Sequence, residues 1–324
     1  MSLGRTATLN NGIKVPLIGF GTWQAAPGEV EKAVEEAIKV GYRHIDCALA
    51  SIYGNQNEVA AGIENSGIDR KELFLVSKLW NNSHRPELVE ADLDTTLKEL
   101  KTDYLDAWLI HWPVPFKPGK TMEPTAADGK GRDIDTEAPG IVETWKELVR
   151  ISKETKKVRA IGVSNFSVQN LEKIINATGV VPALNQIECH PSLQQPELFE
   201  YCKKKGIVIT AYSPLGNNIT GKPRVIDSPE VIKIAERLGK TPAQVLLAWL
   251  TYQGFTVIPK SVTASRIKSN FEDFELTQKD FEEISAVGKA THGRANIPAI
   301  YSPINWPINV FDEPEEKSQP YSVW

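Results

Sequence analysis

The chain has 324 residues, 41% of them hydrophobic and 24% charged, with a formal net charge of −4. This acidic balance argues against nucleic acid or an anionic membrane as the main partner. No apolar run reaches the roughly 18 residues of a membrane helix, and the start "MSLGRTATLNNG" lacks the apolar stretch of a secretory signal. Three cysteines (Cys47, Cys189 and Cys202) with no C-x-x-C speak against a disulfide scaffold or a zinc site, so no metal is expected. The composition points to a soluble cytoplasmic protein.

In chain order, "TLNNGIKVPL" reads as a hairpin about an Asn-Gly turn. A short apolar run, "LIGFGT", precedes "GEVEKAVEEAIKVG", where Val30, Ala33, Val34, Ala37 and Ile38 recur at helical spacing and Gly41 ends the run. The strand "RHIDCA" and a helix over about 57–65 follow, then "ELFLVSKLW" and a helix over 86–100. "YLDAWLIHW" leads through a Pro/Gly-rich loop, 113–140, to a helix over 141–155. The pattern continues with "VRAIGVSNF" and helix 167–177, "ALNQIECH" and helix 196–205, and "IVITAYSPLG" with helices near 229–239 and 242–253. It closes with "FTVIPKSV" and helix 264–270.

Eight β-α units with apolar strands and mostly short connections imply a parallel sheet covered by helices, and a (β/α)8 barrel fits better than an open sheet. With no composition shift along the chain, one domain is expected, its barrel spanning about 17–287. The irregular tail, 288–324, carries Tyr301, Trp306, Phe311 and Trp324. So aromatic a tail is expected to fold over one mouth of the barrel.

In such a barrel, chemistry sits where strands pass into loops at the C-terminal face. Those positions hold Thr22 and Trp23, Asp46, Lys78 and Trp80, His111 and Trp112, Ser164 and Asn165, Gln186, Tyr212 and Ser213, then Lys260 and Ser261. Taken singly, Asp46 and Lys78 read equally well as a structural ion pair, His111 as a core histidine and Tyr53 as a loop tyrosine. Their common placement at one face favours a functional site. "GFGTWQ" lacks the third glycine of a G-x-G-x-x-G loop, so a Rossmann dinucleotide site is not supported.

The segments "GFGTW", "GYRHID", "YGNQNEV", "VSKLWN", "LIHWP", "IGVSNF", "NQIECHP", "AYSPLG" and "IPKSVTASRIKSNF" span about 250 residues. In this order they resemble the aldo-keto reductases, and among them the fungal NADPH-dependent aldehyde reductases and NADP-linked glycerol dehydrogenases. The resemblance implies reduction of aldehydes and activated ketones to alcohols by a monomer, with a catalytic tetrad of Asp46, Tyr53, Lys78 and His111. The chemistry is consistent with this. A forming alkoxide needs a proton donor, and a tyrosine of ordinary pKa about 10 needs a nearby ammonium to serve. Lys78 suits that role, Asp46 would hold Lys78, and His111 would orient the carbonyl.

The resemblance also implies an NADPH/NADP+ site. Tyr212 would stack on the nicotinamide, and Ser164, Asn165 and Gln186 would bind its amide, with Thr22, Trp23, Ser213 and Leu215 contributing. Lys260, Ser261, Val262, Thr263, Arg266 and Asn270 lie at a helix start suited to an extra phosphate. Trp23, Trp80, His111, Trp112 and Trp306 would form an aromatic substrate pocket.

Three departures stand out. Ser269 replaces the family's frequent Glu before the adenine-binding Asn, and "NNIT" after "SPLG" lacks an acid that helps close over the pyrophosphate, which predicts faster cofactor release. The family's D-x-x-x-x-Y becomes "DCALASIY", two residues longer. The extra residues are expected to loop outward and leave the Tyr53 hydroxyl within reach of Lys78. The alternative is an NADPH-binding regulatory or redox-sensing module with little turnover because of that insertion.

Overall fold

A computed structural model describes residues 2–23, 26–47, 54–219, 221–289 and 292–323. An antiparallel hairpin, β1 (Thr6–Thr8) and β2 (Lys14–Pro16), opens the chain. Eight strands then follow: β3 (Phe20–Gly21), β4 (His44–Asp46), β5 (Phe74–Leu79), β6 (Ala107–Ile110), β7 (Ile161–Ser164), β8 (Leu184–Glu188), β9 (Val208–Tyr212) and β10 (Thr256–Val257). Each pairs in parallel with the next. Ile18 bridges to Val257, Gly19 N donates to Val257 O and Val257 N to Leu17 O, which joins the two ends of the sheet. The fold is the expected (β/α)8 barrel.

The helices anticipated from apolar spacing lie within two residues of their expected bounds, as in Val30–Val40, Pro86–Glu99 and Pro196–Lys205. Val30, Ala33, Val34, Ala37 and Ile38 are indeed the buried stripe of the first. It ends at Gly41, φ 124°, against which the Phe271 ring packs so closely that a Cβ would meet it at 2.8 Å. A further helix, Gln278–Val287, was not foreseen. Its start is a reciprocal cap in which Thr277 and Asp280 satisfy each other's backbone N–H groups.

Side chains alternate along every strand, and this alternation decides where the chemistry lies. In β5, Phe74 and Val76 join Leu109, Leu184 and the hairpin's Leu9 and Val15 in the cluster that fills the barrel floor. Leu75 and Leu79 pack outward against helices. The next residue in the inward phase is Lys78. Similarly Ala107 and Leu109 precede His111, and Leu184 precedes Gln186 and Glu188. The inward phase therefore turns polar toward the C-terminal end.

The tail closes that end. It is more ordered than expected, with a short parallel ladder between β11 (Ile308–Asn309) and β12 (Tyr321–Ser322) and helical turns at Pro298–Ile300 and Pro314–Glu316. Trp306, Ile308 and Val310 form one cluster with Trp80, Trp112, Val114, Phe116 and Ile134. Glu188, at the end of β8, accepts hydrogen bonds from Ala295 N (2.9 Å) and Asn296 N (2.8 Å), tying the tail to the barrel.

Candidate active site

A cavity of about 800 Å³ opens at the polar end of the barrel, and its wall includes Asp46, Lys78 and His111. Lys78 Nζ donates to Asp46 Oδ1 at 2.6 Å and to Cys47 O at 3.1 Å, and both side chains of the pair are nearly fully buried. The second oxygen of Asp46 accepts from Gln186 Nε2 at 2.8 Å. The ammonium is thus held in one direction by a carboxylate that is itself fixed from the opposite strand.

His111 is kept well below its ordinary pKa by burial and then by the Lys78 charge. It is therefore a neutral imidazole, with one N–H to offer and no charge of its own. Its Nδ1 is buried without a hydrogen-bond partner among the described residues. Trp80 meets the ring edge-on with centroids 5.2 Å apart. Tyr53 and the preceding residues 48–52 lie outside the described residues, and so does the expected course of the insertion.

One wall is a preset polar ledge. Ser164 Oγ donates to Gln186 O (2.9 Å), and Asn165 Nδ2 donates to His111 O (3.0 Å). Tyr212 OH donates to Asn165 Oδ1 at 2.7 Å, and burial pushes the phenol well above its usual pKa, so it stays protonated. Asn165 (φ 64°) and Ser213 (φ 46°) adopt the left-handed backbone region, a strain concentrated at ligand sites. Thr22 Oγ1 donates to Asp46 O. Thr22, Trp23, Asn165, Gln186, Tyr212, Ser213, Leu215 and Lys260 all line the cavity.

Ser164 is buried and is not among the residues that line the cavity. Ser261, Val262, Thr263, Arg266 and Asn270 continue from Lys260 into the helix Ala264–Phe271, beyond the cavity lining. Arg266 is exposed on that helix and Asn270 buried. Partial burial lowers the Lys260 pKa from its ordinary value, although the residue as a whole is exposed.

Trp23, Trp80, Trp112 and Trp306 line the cavity, and the Trp306 ring lies 5.2 Å from Trp112 and 4.8 Å from Phe116. Three contributors escaped sequence reasoning. Glu188 organises the tail, while Glu123 and Arg132, from the loop 113–140, place an ion pair on the wall. The "NQIECHP" motif contains Glu188, but nothing local shows that its partners lie over a hundred residues away.

The model of the Aldo/keto reductase family matches residues 17–289. The chain belongs to the aldo-keto reductase family. It is a carbonyl-reducing enzyme. It is 51% identical to the D/L-glyceraldehyde reductase of Hypocrea jecorina, over 100% of this chain and 99% of that one. Identity to the aldo-keto reductase family 1 member A1 of Xenopus tropicalis is 43%, over 90% of this chain and 91% of the relative. Among solved structures, the aldose reductase of Schistosoma japonicum superposes with a TM-score of 0.81 at 39% identity, covering 92% of this chain and 94% of that one. That of Giardia lamblia does so with 0.83 at 36%, covering 92% and 98%.

Proposed function

We infer that this aldo-keto reductase uses NADPH to reduce aldehydes, short hydroxyaldehydes such as glyceraldehyde among them, with Tyr53 as the proton donor. The observation that carries the reading is the buried Asp46–Lys78 pair on the wall of a cavity that also holds a neutral His111. The preset ledge of Ser164, Asn165 and Gln186 beside the Tyr212 ring, with Lys260 along the same cavity, fits a nicotinamide dinucleotide. Arg266 and the helix start after Lys260 suit the additional phosphate of NADPH.

Bound NADPH supplies the hydride. The chain's own residues do the rest. His111, being neutral, donates one hydrogen bond to the carbonyl oxygen and polarises it without competing for the proton. The Lys78 ammonium stabilises negative charge arising on the phenol that donates the proton, and Asp46 keeps that ammonium aimed. The tryptophans and tail exclude water around the reacting carbon, which strengthens each of these interactions.

The single-domain reading, 1–324, is supported by the tail's hydrogen bonds to Glu188. Three buried free cysteines support a reducing, cytoplasmic setting. A monomer is expected by light scattering.

The test is NADPH oxidation with glyceraldehyde and para-nitrobenzaldehyde, comparing wild type with Tyr53→Phe. Wild type should turn over, and the variant should lose at least about 10²-fold in kcat while retaining NADPH affinity. Tight NADPH binding by wild type with no turnover across an aldehyde panel would instead support a regulatory module.

A further inference from the structure

Arg132 and Glu123 sit on the wall of the cavity, and neither hydrogen-bonds to Asp46, Lys78 or His111 among the described residues. The loop that carries them is braced by the bridges Phe116–Ile134 and Thr125–Arg132. Arg132 N also donates to Asn305 O of the tail at 2.9 Å, so the residue is fixed from two sides. Its Nη1 donates to Glu123 O at 2.9 Å and its Nη2 to Glu123 Oε2 at 2.6 Å. A guanidinium has five N–H donors, and these contacts account for two. Nε is buried and, among the described residues, has no acceptor, a costly state for a charged group.

The surrounding wall is aromatic, with Trp80, Trp112, Tyr301 and Trp306. An unsubstituted aldehyde would cover the ion pair, strip its water and return nothing. The guanidinium is also matched by the Glu123 carboxylate, so the pair carries no net charge to draw an anion. What it presents is a group of donors beside an acceptor. That arrangement complements hydroxyl groups, each of which both accepts and donates.

We propose that the Arg132–Glu123 pair reads the hydroxyl-bearing end of the substrate and makes the enzyme selective for polyhydroxylated aldehydes over unsubstituted aldehydes of equal length. This rests on the reductase reading above. The two residues determine specificity and take no part in the proton transfer, so their contribution appears in KM and leaves kcat in place.

The experiment is steady-state kinetics of the full-length protein with NADPH on length-matched pairs, erythrose with butanal and xylose with pentanal, together with glucuronate. Arg132→Met should raise KM for erythrose and xylose about 10-fold, hold kcat within about twofold, and leave KM for butanal and pentanal unchanged or lower. Glu123→Gln removes the neutralising charge, so KM for glucuronate should fall about fivefold. Arg132→Lys keeps the charge but loses the fork, and should fall between wild type and Arg132→Met, which separates recognition from a folding defect.

Equal KM changes on hydroxylated and unsubstituted aldehydes would reveal a merely structural residue and overturn the proposal, as would no change on either. Loss confined to glucuronate would overturn it in favour of anion recognition. A wild type inert toward all five aldehydes would instead sink the reductase reading, and this proposal with it.

Discussion

Replacing Asp46 with asparagine removes one charge and turns one end of a hydrogen-bonding group around in the cavity wall. Asp46 is 3% exposed and Lys78 2%, and both carboxylate oxygens are engaged, one by the Lys78 ammonium and the other by the Gln186 amide. An asparagine has a single oxygen. Whichever way it turns, its NH2 group faces another donor. If its oxygen turns to the Gln186 amide, Lys78 keeps only Cys47 O among the described residues. Breaking a buried pair by removing one partner costs about 3–5 kcal/mol, and the misdirected amide argues for the upper half of that range. Urea unfolding followed by tryptophan fluorescence measures it, and steady-state assays of the same variant should show kcat reduced about 10²–10⁴-fold. The double variant Asp46→Leu with Lys78→Met separates the two effects. An apolar pair of similar volume should recover much of the stability while turnover stays absent. A loss below about 1 kcal/mol, with kcat near wild type, would refute the reasoning by showing that the pair is neither buried in effect nor part of the machinery.

Acid should loosen the tail through Glu188. Burial alone would raise this carboxyl, but the His190 ring, the Asn296 N–H and Arg294 outweigh it and hold the group below its ordinary 4.5. Its stabilising contribution is therefore present above that value and lost as pH falls through the lower folded one. Glu188→Gln should flatten the stability-against-pH curve below about pH 4.5, and a variant curve parallel to wild type there would contradict the assignment. Native cysteines should resist alkylation near neutral pH, because burial pushes the Cys47 and Cys202 thiols up to about 12 and Cys189 upward as well. Mass spectrometry should find no adduct before denaturation and all three after it, and rapid native labelling of Cys47 would count against the packing described around Lys78.

Much of this architecture was readable because its signals are local. Helical spacing from Val30 to Ile38 and the Asn-Gly turn act within a few residues, and both appear where expected. The helix Gln278–Val287 was missed because its apolar positions are few, although its start carries a readable capping box of Thr277 and Asp280. The docked tail was anticipated from its aromatics, but its attachment was not. Glu188 accepts from Ala295, 107 positions away, and no spacing rule reaches that far. Arg132 and Glu123 lie in the long Pro/Gly-rich loop 113–140, and only the position of Asn305 and the cavity makes them part of a wall.

What the sequence determined by itself is phase. With side chains alternating along a strand, placing Phe74 and Val76 inward obliges Lys78 to point inward too, and the same rule carries Leu109 to His111 and Leu184 to Gln186. Which of these inward groups would meet was decided by the tertiary structure. Gln186 reaches Asp46 across 140 positions of chain because the sheet curls until Ile18 pairs with Val257. Ring closure depends on strand tilt and stagger summed over all eight strands, a property of the whole barrel that no single segment encodes.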